Sequence, residues 1–431
     1  MRKLMAIIIV VALVVVGIFI GKRSARVDDN GHFLPPDTAT LKTAKPVVHI
    51  YMENSGSMNG YVTTNSQFKN ALGHLITKAD GFYSGTTIDF INQGIFHTPM
   101  CDDLDNFVLN LNPTSMQVGN TSSTDINKIF KMILDHTSRD TISVLVSDCM
   151  YDVDNVGNLL SAAATSTTGT FMKAIRRARD DKKEFAAIIM QCMSEFSGNY
   201  YEGNQAIACN GQRPYYVIVL GNLDQVKDFS EHMELEDSAT GLPGLTHKYM
   251  VSSSPTWHLD NMTARIFASD FTNAVRIQAN HDGLNVRKVT LDKEQSNFNF
   301  ALGLGVRHLF TDLSYLLDKD NYEVEPAQYK ITDVNDEAKF TECDFFQHPI
   351  CVQMVVLGQH YAPQLTLKLK NKVPKWVSEC SYNKRLGTLP ESHQSYAIYE
   401  MVEGIYNAFY NSMDTNSRDI FQLQVKFEGY E

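Results

Sequence analysis

Glu53, Ser55 and Ser57 alternate in the stretch "MENSGSM", while Thr124 and Asp148 stand much further along the chain. Together they offer two carboxylates and three hydroxyls. Hard oxygen donors of this kind suit Mg²⁺ or Ca²⁺. No histidine or cysteine falls among the five, which disfavours zinc and copper. Three neutral hydroxyls and two acids make a site of low charge, so a bound ion would keep attraction for an anionic group. Taken singly, each residue has an ordinary explanation. Glu53 and Asn54 can form a turn, Ser55 and Thr124 can cap helices, and Asp148 can be a solvated loop acid.

The elements that must position these residues decide between the readings. "PVVHIYM", "TTIDFINQGI", "DTISVLVSD", "EFAAIIMQCM" and "RPYYVIVLGN" read as apolar strands. Between several of them lie helical periodicities. Phe68, Leu72, Leu75 and Ile76 share one face, as do Ile126, Ile129, Phe130 and Ile133. The spacing also predicts helices over "TFMKAIRRARDD" and "LDQVKDFSEHM", whereas the Ser/Thr-rich Val156–Thr170 reads as a connecting loop. Strands apolar on both faces and separated by helices imply a doubly wound, mostly parallel α/β sheet, spanning residues 46–240. In such a sheet ligands bind past the carboxyl ends of the strands. Glu53, Ser55 and Ser57 follow the first strand, Asp148 follows the "ISVLVS" strand, and Thr124 opens a helix on the same edge.

In this order the pieces resemble the von Willebrand factor A-type domain, whose metal-ion-dependent adhesion site has the form Asp-x-Ser-x-Ser with a later Thr and a later Asp. Ser55 and Ser57 match the serines, Thr124 the threonine and Asp148 the second aspartate. Glu53 departs from the pattern, being one methylene longer than the family's first aspartate. The resemblance covers about 190 residues and implies a metal site holding Mg²⁺, or Ca²⁺ or Mn²⁺, completed by the acidic residue of a protein partner.

The rest of the chain sets the context. Leu4–Ile20 carries no charge and has basic flanks. As a helix it would reach roughly 26 Å at about 1.5 Å per residue, close to the ~30 Å hydrocarbon core. No small-residue cleavage site follows, so residues 1–21 are expected to be an uncleaved single-pass transmembrane anchor, with the side of the membrane undetermined. Residues 22–45 are polar, contain "LPPD" and read as a tether. Beyond residue 246 the strand-like runs shorten and alternate, as in Leu365, Leu367 and Leu369. A mostly β, sandwich-like C-terminal domain over 246–431 follows, with one helix, carrying Ile398, Met401, Ile405 and Phe409, packed on it.

Composition narrows the function classes. The chain has 431 residues, 20% charged, and a net charge of -11. That balance argues against a general nucleic-acid binder. Seven cysteines occur without a C-x-x-C pair, so no structural zinc site or disulfide framework is expected. No G-x-S-x-G elbow, phosphate-cradling glycine loop or H-E-x-x-H motif is present. His281, His308, His348 and His360 are scattered and assigned no role. Two functions remain: a membrane-anchored protein-binding module working through a divalent ion, or a metal-dependent hydrolase of phosphoester type using the same carboxylate edge. The absence of a general base beside the site favours the binding module.

Overall fold

A computed structural model describes residues 45–122, 125–150, 158–202, 205–234, 241–254, 263–267, 274–279, 285–291, 298–306, 309–336, 350–356, 362–384, 387–413 and 418–427. The elements in them belong to one contact-dense unit, Pro46–Glu431. Its centre is a seven-stranded sheet in the order β3-β2-β1-β4-β6-β5-β7. The strands are β1 (Val47–Glu53), β2 (Gly85–Ile91), β3 (Ile95–Phe96), β4 (Thr141–Ser147), β5 (Phe185–Glu202), β6 (Gln205–Asn222) and β7 (Leu245–Ser252).

Alternate residues of β1 feed two cores. Val48, Ile50 and Met52 join Phe68 and Leu72 of the Gln67–Phe82 helix and Val226 and Phe229 of the Leu223–His232 helix. Tyr51, on the other face, joins Ile129 and Phe130 of the Ile126–His136 helix, Phe171 of the Asn158–Asp180 helix and Phe409 of the Ile398–Ser412 helix.

The expected doubly wound, mostly parallel sheet is corrected to a mixed one. Only the β1–β2 and β1–β4 pairings are parallel. The β3, β6, β5 and β7 pairings are all antiparallel. The reason lies in the connection between β5 and β6. Parallel neighbours need a crossover of a dozen or more residues. Here "EFAAIIMQCM" and "RPYYVIVLGN" are joined by a hairpin whose two strands run eighteen residues each. Once β6 has turned back, its pairing with β4 is necessarily antiparallel.

The Ser/Thr-rich stretch is helix, not loop, from Asn158 onward. Its hydroxyls fold back on the helix itself. Thr165 Oγ1 donates to Ser161 O (2.9 Å), Thr167 Oγ1 to Ala163 O (3.2 Å) and Thr168 Oγ1 to Ala164 O (3.0 Å). Its small side chains admit the Ile398–Ser412 helix at close range, and Thr168 Oγ1 also donates to Gly404 O at 2.9 Å. The apolar stripe of Ile398, Met401, Ile405 and Phe409 is thereby buried in the core beside the large sheet.

Two smaller sheets and a two-stranded pair, Ser381–Tyr382 with Ser395–Tyr396, complete the unit. One has five strands, in the order Tyr322–Glu325, Gln364–Leu369, Phe421–Phe427, Asn285–Leu291 and Ala274–Ala279. The other has four: Tyr329–Asn335, Ile350–Val356, Phe298–Gly305 and Thr263–Phe267. All pairings in these two sheets are antiparallel except Asn285–Leu291 with Phe421–Phe427. Phe427 meets Phe300 and Tyr329 with ring centroids 6.0 Å apart in each case, joining the two sheets.

The membrane expectation is also corrected. Leu4–Ile20 lies outside the described residues, and among the described residues no helix is long and apolar enough to cross a membrane. The longest, Asn158–Asp180, carries Lys173, Arg176, Arg177, Arg179 and Asp180 at one end and hydroxyl residues along the rest. Transmembrane attachment and the single-pass membrane localisation are therefore withdrawn. His281, His308, His348 and His360 lie outside the described residues as well.

Candidate functional site

β1 and β4 lie side by side in parallel register, Met52 opposite Val146, so both chains leave the sheet at one edge. Glu53 ends β1 and Ser147 ends β4. The Ser147 hydroxyl donates to Glu53 Oε2, and the Cys149 N–H donates back to Ser147 Oγ at 2.8 Å. Past Glu53 the chain turns through a short 3-10 helix, Gly56–Tyr61. Asp148 lies against that turn: its N–H meets Met58 Sδ at 3.2 Å, although the two residues are 90 apart in the chain. The Ser57 hydroxyl lies close enough to the Asp148 carboxyl to lower its pKa, and Ser55 Oγ stands 3.0 Å from Ser57 Oγ.

Ser55, Ser57 and Asp148 thus gather at one strand edge, with Glu53 held nearby by Ser147. The ordinary readings of two of these residues do not describe them. Ser55 precedes the 3-10 helix without a side-chain capping bond to its backbone, and Asp148 is only 6% exposed. Thr124 lies outside the described residues. Its neighbours are placed. Thr121 O accepts from the Gly56 N–H at 3.0 Å, and Asp125 caps the Ile126–His136 helix through the Asn127 N–H at 3.0 Å.

Burial governs the electrostatics. Desolvation holds the Asp148 carboxyl above its ordinary value, opposed by the Ser57 hydroxyl, the Met150 N–H and the charge of Arg213. The Cys149 thiol is pushed well up by burial and further by Glu53 and Asp148, against the Ser147 hydrogen bond. A thiol so placed stays protonated and is a poor nucleophile. The Tyr61 phenol is likewise driven up by burial and by Asp148. The groups that act on the Asp148 carboxyl are the Ser57 hydroxyl, the Met150 N–H and Arg213, with no imidazole among them.

Several residues that shape the site do not stand out in the sequence. Asn54 clamps the loop: its Nδ2 donates to Met116 O and Val118 O, each at 2.8 Å, and its Oδ1 accepts from Asn92 Nδ2 at 3.0 Å. The outer half of the β5–β6 hairpin forms an arm over the 3-10 turn. Phe196 packs edge-on against Tyr61 at 4.9 Å, and Tyr61 Oη donates to Pro214 O at 2.5 Å. Arg213 stacks over Tyr200 at 4.6 Å and donates to Glu391 O (3.2 Å) and Gln394 O (2.8 Å). The alternation of Phe196 and Tyr200 is the available signal. It reads as a strand extension only once the hairpin is known.

The donor set fits a small divalent ion. The Ser55–Ser57 separation of 3.0 Å is that of a hydrogen bond, and it is also about the spacing of adjacent ligands around an octahedral Mg²⁺ with bonds of about 2.1 Å. A cation there would favour the ionised Asp148 that burial alone disfavours. Glu53 is turned to Ser147, so its longer side chain serves best as an outer partner.

A scan against protein-family models, a search of curated proteins and a search of solved structures each return no match. The assignment to a von Willebrand factor A-type domain with its adhesion site is thus left without support beyond the motif residues, and the mixed sheet departs from the doubly wound architecture which it implied.

Proposed function

We propose that this chain is a protein-binding module. In this reading Ser55, Ser57 and Asp148, with Glu53 behind them, hold Mg²⁺, Ca²⁺ or Mn²⁺ at the carboxyl edge of β1 and β4. An acidic residue of the partner completes the coordination. The observation that carries it is the 3.0 Å approach of Ser55 Oγ to Ser57 Oγ beside the buried Asp148 carboxyl, whose pKa the Ser57 hydroxyl lowers. Such a set has few charges, so the ion keeps enough unbalanced charge to attract an anion. The partner meets the β5–β6 arm as it approaches, because the arm covers the 3-10 turn that bears Ser57.

Calorimetric titration of the protein with each of the three ions tests the proposal. Binding should weaken in Ser57→Ala and vanish in Asp148→Asn. Glu53→Asp should leave it intact or strengthen it. Capture of a partner should then depend on the ion and be reversed by a chelator. A folded protein with no affinity for any of the three ions, with or without a captured partner, would refute the metal-dependent mode.

A further inference from the structure

A second cluster lies at the β3 edge of the large sheet, on different residues from the oxygen site. Asp89 sits on β2, and β3 pairs with β2 so that Phe96 faces Phe90. The next residue, His97, therefore meets Asp89 across the edge, with His97 Nδ1 2.6 Å from Asp89 Oδ1. His97 Nε2 stands 2.9 Å from Asp102 Oδ1. Cys101, in the 3-10 turn Pro99–Asp102, brings its buried thiol to the same place, beside Thr98 Oγ1 at 3.3 Å. One donor atom each from Asp89, His97 and Cys101 lies within 4.8 Å of the others.

We propose that Asp89, His97 and Cys101 form a binding site for a zinc-type transition-metal ion. A carboxylate, an imidazole and a thiolate are a donor set suited to Zn²⁺ and unsuited to Mg²⁺ or Ca²⁺. Tetrahedral zinc, with bonds of about 2.0–2.3 Å, places its ligand atoms about 3.4–3.6 Å apart. Cys101 would close in by up to about 1.4 Å, and His97 would withdraw from Asp89 by about 0.8 Å. His97 can do this, since its side chain is 52% exposed and follows a strand of only two residues. The same exposure opens a route for the ion and leaves a fourth position for water.

The surroundings are those of a ligand shell. Both ring nitrogens of the imidazole face carboxylates, Nδ1 that of Asp89 and Nε2 that of Asp102. A metal ion would replace the proton on Nδ1 while Asp102 keeps the proton on Nε2, fixing ring and tautomer. On the inner side, His49 Nε2 is 2.7 Å from Asp89 Oδ2 and orients that carboxylate. A histidine clamp between two acids needs no thiol, and the thiol within ligand reach is what singles out a metal. The lack of a C-x-x-C pair hides such a site from the sequence, because His97 and Cys101 come from one turn and Asp89 from the neighbouring strand.

The full chain, stripped of metal by chelation, is titrated with Co²⁺ and then Zn²⁺. One equivalent of Co²⁺ should give a thiolate-to-cobalt charge-transfer band with tetrahedral ligand-field bands, and Zn²⁺ should abolish both. Cys101→Ser should remove the charge-transfer band, His97→Gln should remove binding, and Asp102→Asn should weaken Zn²⁺ roughly 10- to 100-fold. Asp148→Asn should leave the cobalt spectrum unchanged, which separates this site from the oxygen site. No charge-transfer band in the wild-type chain, or a band that survives both Cys101→Ser and His97→Gln, would overturn the proposal.

Discussion

The β5–β6 arm is seated by a contact that leaves no room for a side chain. A Cβ on Gly198 would stand 2.8 Å from Gly60 Cα and 3.2 Å from Gly60 N. Ordinary van der Waals contact starts near 3.4 Å, and the obstructing atoms are backbone of the 3-10 turn, which cannot rotate away. Gly198→Ala must therefore lift the arm by about 0.6 Å or more, or displace the turn that carries Ser57. Overpacking of this kind costs about 1–3 kcal/mol. If the cost falls on arm seating, the opening equilibrium shifts by about 5- to 150-fold. Amide hydrogen exchange followed by mass spectrometry reads it directly. Peptides from the outer arm and from residues 55–61 should exchange faster by that factor. Peptides from β4, at the centre of the sheet, should not change. Gly211→Ala is the control: it sits on the same hairpin, where an added Cβ meets nothing within 4 Å. Unchanged arm exchange in Gly198→Ala, or equal acceleration in Gly211→Ala, would refute the view that the arm closes over the turn through this contact.

Two further expectations concern how the arm and the helices are held. Glu195 accepts the Gln67 N–H at 2.8 Å at the start of the Gln67–Phe82 helix, and that bond holds its carboxyl below the ordinary value. A depressed folded value means stability that is present above the unfolded pKa and lost as pH falls through the folded one. The site is exposed, so Glu195→Gln should cost about 0.3–1 kcal/mol at neutral pH and flatten the acid limb of a stability-against-pH curve; an unaltered acid limb would count against the bond. In Gly404→Ala the new Cβ would lie 2.7 Å from Ala164 O and 2.9 Å from Thr167 Cβ. Relief of the glycine would gain about 1 kcal/mol in an open helix, yet here overpacking should outweigh it, for a net loss of about 1–2 kcal/mol. A raised unfolding midpoint for that variant would show that the two helices are not in close contact there.

Local chemistry is legible in the chain itself. Period-3.6 stripes such as Ile126, Ile129, Phe130 and Ile133 mark helix faces that are buried. Apolar runs mark strands, and the abrupt change from Met52 to Glu53 marks a strand end. These features depend on neighbours within a turn or two, so composition and spacing carry them. Strand direction does not follow from the runs themselves. It is set by the length of the β5–β6 connection, and the residues between the two runs show their hairpin pairing only against each other. The Ser/Thr-rich helix is hidden for a related reason: its residues are indifferent helix formers, and a distant helix seats on their small side chains through Gly404. Ser147, Arg213 and Asn54 enter the site through contacts with residues far along the chain. So does the meeting of His97 and Cys101 with Asp89. Propensity is a property of the segment, whereas which donor atoms converge is a property of the packed sheet edge, and only the tertiary structure decided that.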